Sequence, residues 1–132
     1  MKQGLLRILI VVLLFLASAM PGLAASVRNV SPDQARALLE NPPGVFLLDV
    51  RTAGEYAELR IPGAHLVPID QVQGRLGELP KDRPILVYCA VGARSSQVAS
   101  FLAGRGYPEV YNMSGGVMGW QVRGYPLLRG RP

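Results

Sequence analysis

The chain has 132 residues, which suggests one domain. Its 14 basic and 9 acidic residues leave a net charge of +5, too small and too scattered a bias to argue for nucleic acid. One cysteine excludes an internal disulfide, and one cysteine with one histidine gives no metal-site spacing.

The N-terminus reads as a targeting segment. Lys2 and Arg7 precede an almost wholly apolar run from Ile8 to Met20. Pro21 and Gly22 break that run, and Gly22-Leu23-Ala24 puts small residues at the two positions a signal peptidase reads. Residues 1–24 are therefore expected to be a secretory signal peptide and 25–132 the mature domain. The run is shorter than the ~20 residues a helix needs to cross a bilayer, so no stable membrane span is expected after cleavage. An uncleaved N-terminal anchor is the alternative. Without Lys2 and Arg7, 12 basic residues face 9 acids, a charge of +3. Arg123, Arg129 and Arg131 read as a solvated C-terminal tail.

Strands and helices then alternate. Ser31-Pro32-Asp33-Gln34 is a helix start, with Ser31 as cap, Pro32 in the first turn and Gln34 closing a capping box. Ala35, Leu38 and Leu39 form its apolar stripe, and Asn41-Pro42-Pro43-Gly44 ends it. Val45 to Val50 is apolar except for Asp49, as suits a strand buried on both faces. Glu55 to Leu59 is expected to form a short helical turn, and His65 to Ile69 a short strand. Val72, Leu76 and Leu79 have helical spacing, weakened by Gly74 and Gly77. Ile85 to Tyr88 is a second buried strand. Arg94 to Ala103 is a helix with Val98, Phe101 and Leu102 inward, ended by Gly104 or Gly106. Glu109 to Met113 is a further strand, and Gly115 to Val122 a last helix anchored by Trp120. The alternation predicts an α/β domain with a central, mainly parallel sheet flanked by helices on both faces.

Chemistry concentrates at Tyr88-Cys89-Ala90-Val91-Gly92-Ala93-Arg94-Ser95-Ser96. A buried strand ends at Cys89, a loop of small residues follows, and a helix opens. Ligands of open α/β sheets bind beyond the carboxyl ends of the strands, so this loop stands where sites are built. Its amides and the positive end of the helix suit an anion, and Arg94 adds a permanent charge. Such a setting lowers a cysteine pKa from near ~8.5 to ~7.5 or below and makes the thiolate, the nucleophile, abundant. The competing reading makes Cys89 a small buried hydrophobe.

Cys-x-x-Gly-x-Arg-Ser after a strand resembles the active-site loop of single-domain rhodanese-like sulfurtransferases. Asp49-Val50-Arg51, Glu55-Tyr56 and Ile61-Pro62-Gly63-Ala64 resemble that family's upstream block. Gly106-Tyr107 with Val110-Tyr111-Asn112, and Gly115-Gly116-Val117-Met118-Gly119-Trp120, resemble its later blocks. With an export signal in front, the chain is similar to the small secreted, periplasmic rhodaneses of Gram-negative bacteria. The resemblance implies the rhodanese-like fold and a Cys89 persulfide, taken from a donor such as thiosulfate and passed to cyanide or a thiol, a protein thiol included. It implies no metal or organic cofactor. Ala90, Val91, Gly92, Ala93, Arg94 and Ser95 would hold the charged sulfur, with Asp49 and Arg51 in support.

Two departures stand out. Leu59-Arg60 occupies positions where the family often has Gly-His, and Arg60 is read as solvated. Ala90 replaces the basic or polar residue often found after the cysteine, removing a contact to an anionic donor. Asp49 and Arg51 either support the loop or form a structural ion pair or turn contact. Arg94 either lines the pocket or clamps the helix start. His65 is read as structural or exposed rather than as a general base. Two other functions compete. A non-catalytic rhodanese-like binding or sulfur-carrier module is one. The other is a cysteine phosphatase, which needs five residues between cysteine and arginine where this chain has the four from Ala90 to Ala93.

Overall fold

The computed structural model describes residues 26–41 and 44–132. The expected signal peptide and the Pro42-Pro43 helix stop lie outside the described residues. Among the described residues five strands are present: β1 Val27–Val30, β2 Phe46–Asp49, β3 His65–Leu66, β4 Ile85–Tyr88 and β5 Val110–Met113. Among the described residues four α-helices accompany them: α1 Pro32–Glu40, α2 Ala53–Glu58, α3 Ala93–Gly104 and α4 Gly116–Val122. The sheet order is β1-β5-β4-β2-β3, and every pairing is parallel.

β4 lies at the centre and is buried throughout. Alternation of side chains across the pleat sends Ile85, Val87 and Cys89 to one face and Leu86 and Tyr88 to the other. The first face packs on Val98, Ala99 and Leu102 of α3. The second packs on Ala35 of α1 and on Val117 and Trp120 of α4. Helices thus cover both faces, which is why β4 reads as an unbroken apolar run.

Local signals set several boundaries. Ser31 and Gln34 form the expected capping box of α1. The segment around Val72, Leu76 and Leu79 forms two 3₁₀ turns, Ile69–Gln71 and Gln73–Glu78, rather than a full helix. The expected His65–Ile69 strand shrinks to His65–Leu66. β1 has no counterpart in the sequence reading. It is a short edge strand whose two middle residues are exposed, and its pairing partner β5 lies far along the chain.

Arg60 is not solvated. It is buried, donates from Nη1 to Gly130 O at 2.7 Å and to Tyr56 O at 3.3 Å, and stacks over the Tyr56 ring. Its backbone bridges Leu128 in both directions, at 2.9 and 2.8 Å. The C-terminal segment is therefore docked at Leu128 and Gly130, while the Arg129 and Arg131 residues stay exposed. The reason is long-range: the Gly130 carbonyl, from the far end of the chain, accepts a hydrogen bond from the buried guanidinium.

Candidate active site

Strand register gathers the site. Asp49 pairs with Tyr88, so β2 and β4 end side by side, and β5 ends beside them at Met113. α2, α3 and α4 start within a few residues of those three ends. Cys89 therefore opens onto the edge of the sheet from which three helices start.

The Cys89 residue is 1% exposed. Gly92 donates its amide to Cys89 Sγ at 3.1 Å, and the Ser95 hydroxyl lies 3.3 Å from the same sulfur. Ser95 Oγ also donates to Gly92 O at 3.2 Å. Gly92 takes φ 108°, a left-handed conformation other residues resist, and this lets the chain turn into α3 while its amide faces the sulfur. Burial pushes the thiol pKa up. The Ser95 hydroxyl and the amides of Ser95, Gly92 and Val91 outweigh it, so the net result lies below the ordinary cysteine value. Of the loop residues expected to hold the sulfur, Gly92 and Ser95 hydrogen-bond to it, and the Val91 amide also favours the thiolate. Ala90 is half-buried, and Val91 and Ala93 turn exposed, uncharged side chains outward.

Arg94 is a clamp. Nη1 and Nη2 donate to the two carboxylate oxygens of Glu55 at 2.8 and 2.9 Å, joining α3 to α2. Arg94 holds the Glu55 carboxyl at about 2; burial opposes this and the Thr52 amide assists. Glu55 is also the third residue of a capping box with Thr52 at the start of α2. The spacing Thr52-x-x-Glu55 is a legible helix-start signal, and it would have placed this carboxylate in advance. The Cys89 and Asp49 charges favour the charged form of Arg94 as well, so the guanidinium lies within electrostatic reach of the sulfur.

Asp49 and Arg51 form the buried ion pair. Arg51 donates from Nε to both Asp49 oxygens, from Nη2 to Oδ2 at 2.7 Å, and from its amide to Oδ1 at 2.9 Å. Nη2 also reaches Leu59 O at 2.7 Å, and the guanidinium lies over the Tyr88 ring. The pair is the structural ion pair the sequence allowed, and it fastens the end of β2 to Leu59. His65 sits on β3, two strands from β4, with Nε2 3.0 Å from Glu78. Trp120 is a core anchor, donating from Nε1 to Pro126 O at 2.9 Å.

Fold and loop together define an α/β domain built around a buried, hydrogen-bonded cysteine thiol. The chain belongs to the rhodanese-like domain family, which matches residues 31–123. A protein named "Sulfurtransferase" from Allochromatium vinosum is 35% identical over 102 residues, covering 77% of this chain and 95% of that protein. "Thiosulfate sulfurtransferase GlpE" of Actinobacillus succinogenes is 37% identical over 101 residues, covering 75% of this chain and 88% of its own. Among solved structures, the rhodanese-related protein of Thermoplasma volcanium aligns with TM-score 0.70 at 27% identity, covering 76% of this chain and 97% of that one. Among the described residues no helix is long and apolar enough to cross a membrane.

Proposed function

We propose that this chain is an exported, periplasmic sulfurtransferase that moves sulfane sulfur from a donor such as thiosulfate to a thiophilic acceptor, cyanide or a thiol, through a persulfide on Cys89. The observation that carries this reading is the set of donors around Cys89 Sγ, which favours the thiolate in a buried setting. In the first step the thiolate attacks the outer sulfur of thiosulfate. A Cys89 S–S bond forms, the donor S–S bond breaks, and sulfite leaves with the electron pair. In the second step the acceptor, cyanide or a thiolate, attacks the outer sulfur of the persulfide. The new bond is to that sulfur, and Cys89 departs as thiolate. The Val91, Gly92 and Ser95 donors that stabilise the starting thiolate also stabilise it as leaving group, so one device serves both halves. The electron count closes without an added redox partner. Cleavage near Ala24 would release the domain in soluble form, as the short apolar run and small residues suggest.

The test is intact-mass analysis after exposure to thiosulfate and to a polysulfide, with turnover to thiocyanate. One added sulfur atom per chain, lost on adding cyanide and absent in Cys89→Ser at unchanged circular dichroism, is expected. No sulfur adduct from either donor on a folded protein would overturn the reading. N-terminal sequencing of the exported protein tests the leader; an intact Met1 in the membrane fraction would refute cleavage.

A further inference from the structure

We propose that the turn Gly115–Met118 is a positioning element for Cys89: it grips the backbone carbonyls of Cys89 and Ala90 and so aims the loop amides at the sulfur, and Gly116 is the residue that admits the contact. The proposal rests on Cys89 as the nucleophile, and its test reads the thiol separately from sulfur transfer.

Three observations carry it. Val117 donates its amide to Cys89 O at 2.9 Å, and Met118 donates to Ala90 O at 3.1 Å. These two amides belong to the first turn of α4, where helix N–H groups have no partner within the helix. The loop carbonyls therefore satisfy orphan donors and are themselves satisfied. Secondly, a Cβ built on Gly116 would lie 2.5 Å from Ala90 C and from Cys89 O, and closer still to Ala90 O. All three atoms are backbone, so no side-chain movement relieves the clash. Gly116 also holds φ 57°. Thirdly, a Cβ on Gly92 would meet Gly115 N at 3.3 Å, so the two loops interlock from both sides.

The consequence for the sulfur follows from peptide geometry. In a planar trans peptide the C=O of one residue and the N–H of the next point in opposite directions. Holding Ala90 O against Met118 turns the Val91 N–H the other way and fixes the peptide leading into Gly92, whose amide meets Cys89 Sγ at 3.1 Å. Holding Cys89 O against Val117 likewise keeps that negative dipole pointed at α4. The Gly-Gly block thus acts on the site through the main chain, with no side chain at the sulfur.

The experiment measures the pH dependence of Cys89 alkylation by iodoacetamide on Gly116→Ala, Met118→Pro and Met118→Ala. Gly116→Ala pushes the loop away. Met118→Pro removes the amide that holds Ala90 O, a first-turn donor with no partner within the helix. In both, the alkylation midpoint is expected to move to higher pH and the rate at pH 7 to fall roughly tenfold, the scale of one charge-assisted hydrogen bond. Met118→Ala keeps the amide, and its profile should match the unaltered protein. Unshifted midpoints in folded Gly116→Ala or Met118→Pro would overturn the proposal. Should neither variant fold, hydrogen exchange in the unaltered protein decides: Val117 and Met118 amides as protected as those of β4 uphold the grip, and free exchange of both refutes it. If the midpoints shift while no variant, nor the unaltered chain, forms a persulfide, the positioning stands and the sulfurtransferase reading fails.

Discussion

Replacing Ser95 by alanine isolates the side chain that hydrogen-bonds to the nucleophile. Ser95 is fully buried, with its hydroxyl 3.3 Å from Cys89 Sγ and 3.2 Å from Gly92 O. A hydroxyl has one proton to donate. With a neutral thiol it can give that proton to Gly92 O; with a thiolate it can turn to the sulfur. The net gain to the thiolate is the difference between the two bonds. A hydrogen bond to a charged group is worth about 1.5–3 kcal/mol and a neutral one about 0.5–1.5, so the difference is about 1 kcal/mol. That corresponds to roughly a fivefold loss of thiolate near neutral pH in Ser95→Ala. Gly92 O keeps the Ser96 amide at 3.1 Å, so the substitution leaves no orphaned carbonyl and the fold should persist. The assay is the alkylation rate of Cys89 against pH, with thermal unfolding beside it. The midpoint should rise by a fraction of a pH unit. An unchanged midpoint in a folded Ser95→Ala protein would show that the backbone amides alone stabilise the thiolate.

Three further outcomes are expected. Ala90→Arg should lower the Michaelis constant for thiosulfate by roughly ten- to a hundredfold with the maximal rate nearly unchanged, since a charge-assisted contact of about 1.5–3 kcal/mol would be made equally to bound donor and transition state. Arg94 is already committed to both carboxylate oxygens of Glu55, which leaves an anionic donor short of a partner. The gain should shrink in high salt, and an unchanged constant at low salt would refute the role of Ala90. Arg51→Met should destabilise the protein by about 3–5 kcal/mol in denaturant unfolding, because Asp49 would be left as an unpaired buried charge; a loss under 1 kcal/mol would count against the buried pair. Glu55 titrates at about 2 when folded, below the ordinary 4.5, so its contribution is fully present above pH 4.5 and is lost as pH falls towards 2. Glu55→Gln should therefore remove about 1 kcal/mol at pH 6 after solvent screening and only a small remainder near pH 2, read as converging unfolding curves; equal gaps at both pH values would refute the linkage.

The elements that sequence alone determined are those with local causes. Ser31 and Gln34 cap α1 through atoms three residues apart, and β4 declares its burial because both of its faces need apolar side chains. The Cys89 loop was legible for the same reason: strand, small residues and helix follow one another directly, and Gly92 and Ser95 reach the sulfur from three and six residues away. Tertiary structure decided the rest. Arg94 could line a pocket or clamp a helix until Glu55, 39 positions distant, took both of its terminal nitrogens. Arg60 read as solvated because the carbonyl that buries it belongs to Gly130, 70 positions away. β1 was invisible because a short edge strand with exposed middle residues exists only through its ladder with β5. The Gly115-Gly116 pair was conspicuous in sequence, yet its work at Ala90 O depends on parallel register placing the ends of β4 and β5 together. Local hydrogen bonds and alternation leave their pattern in neighbouring residues; contacts closed across the sheet do not, because the chain between them carries no trace of which ends will meet.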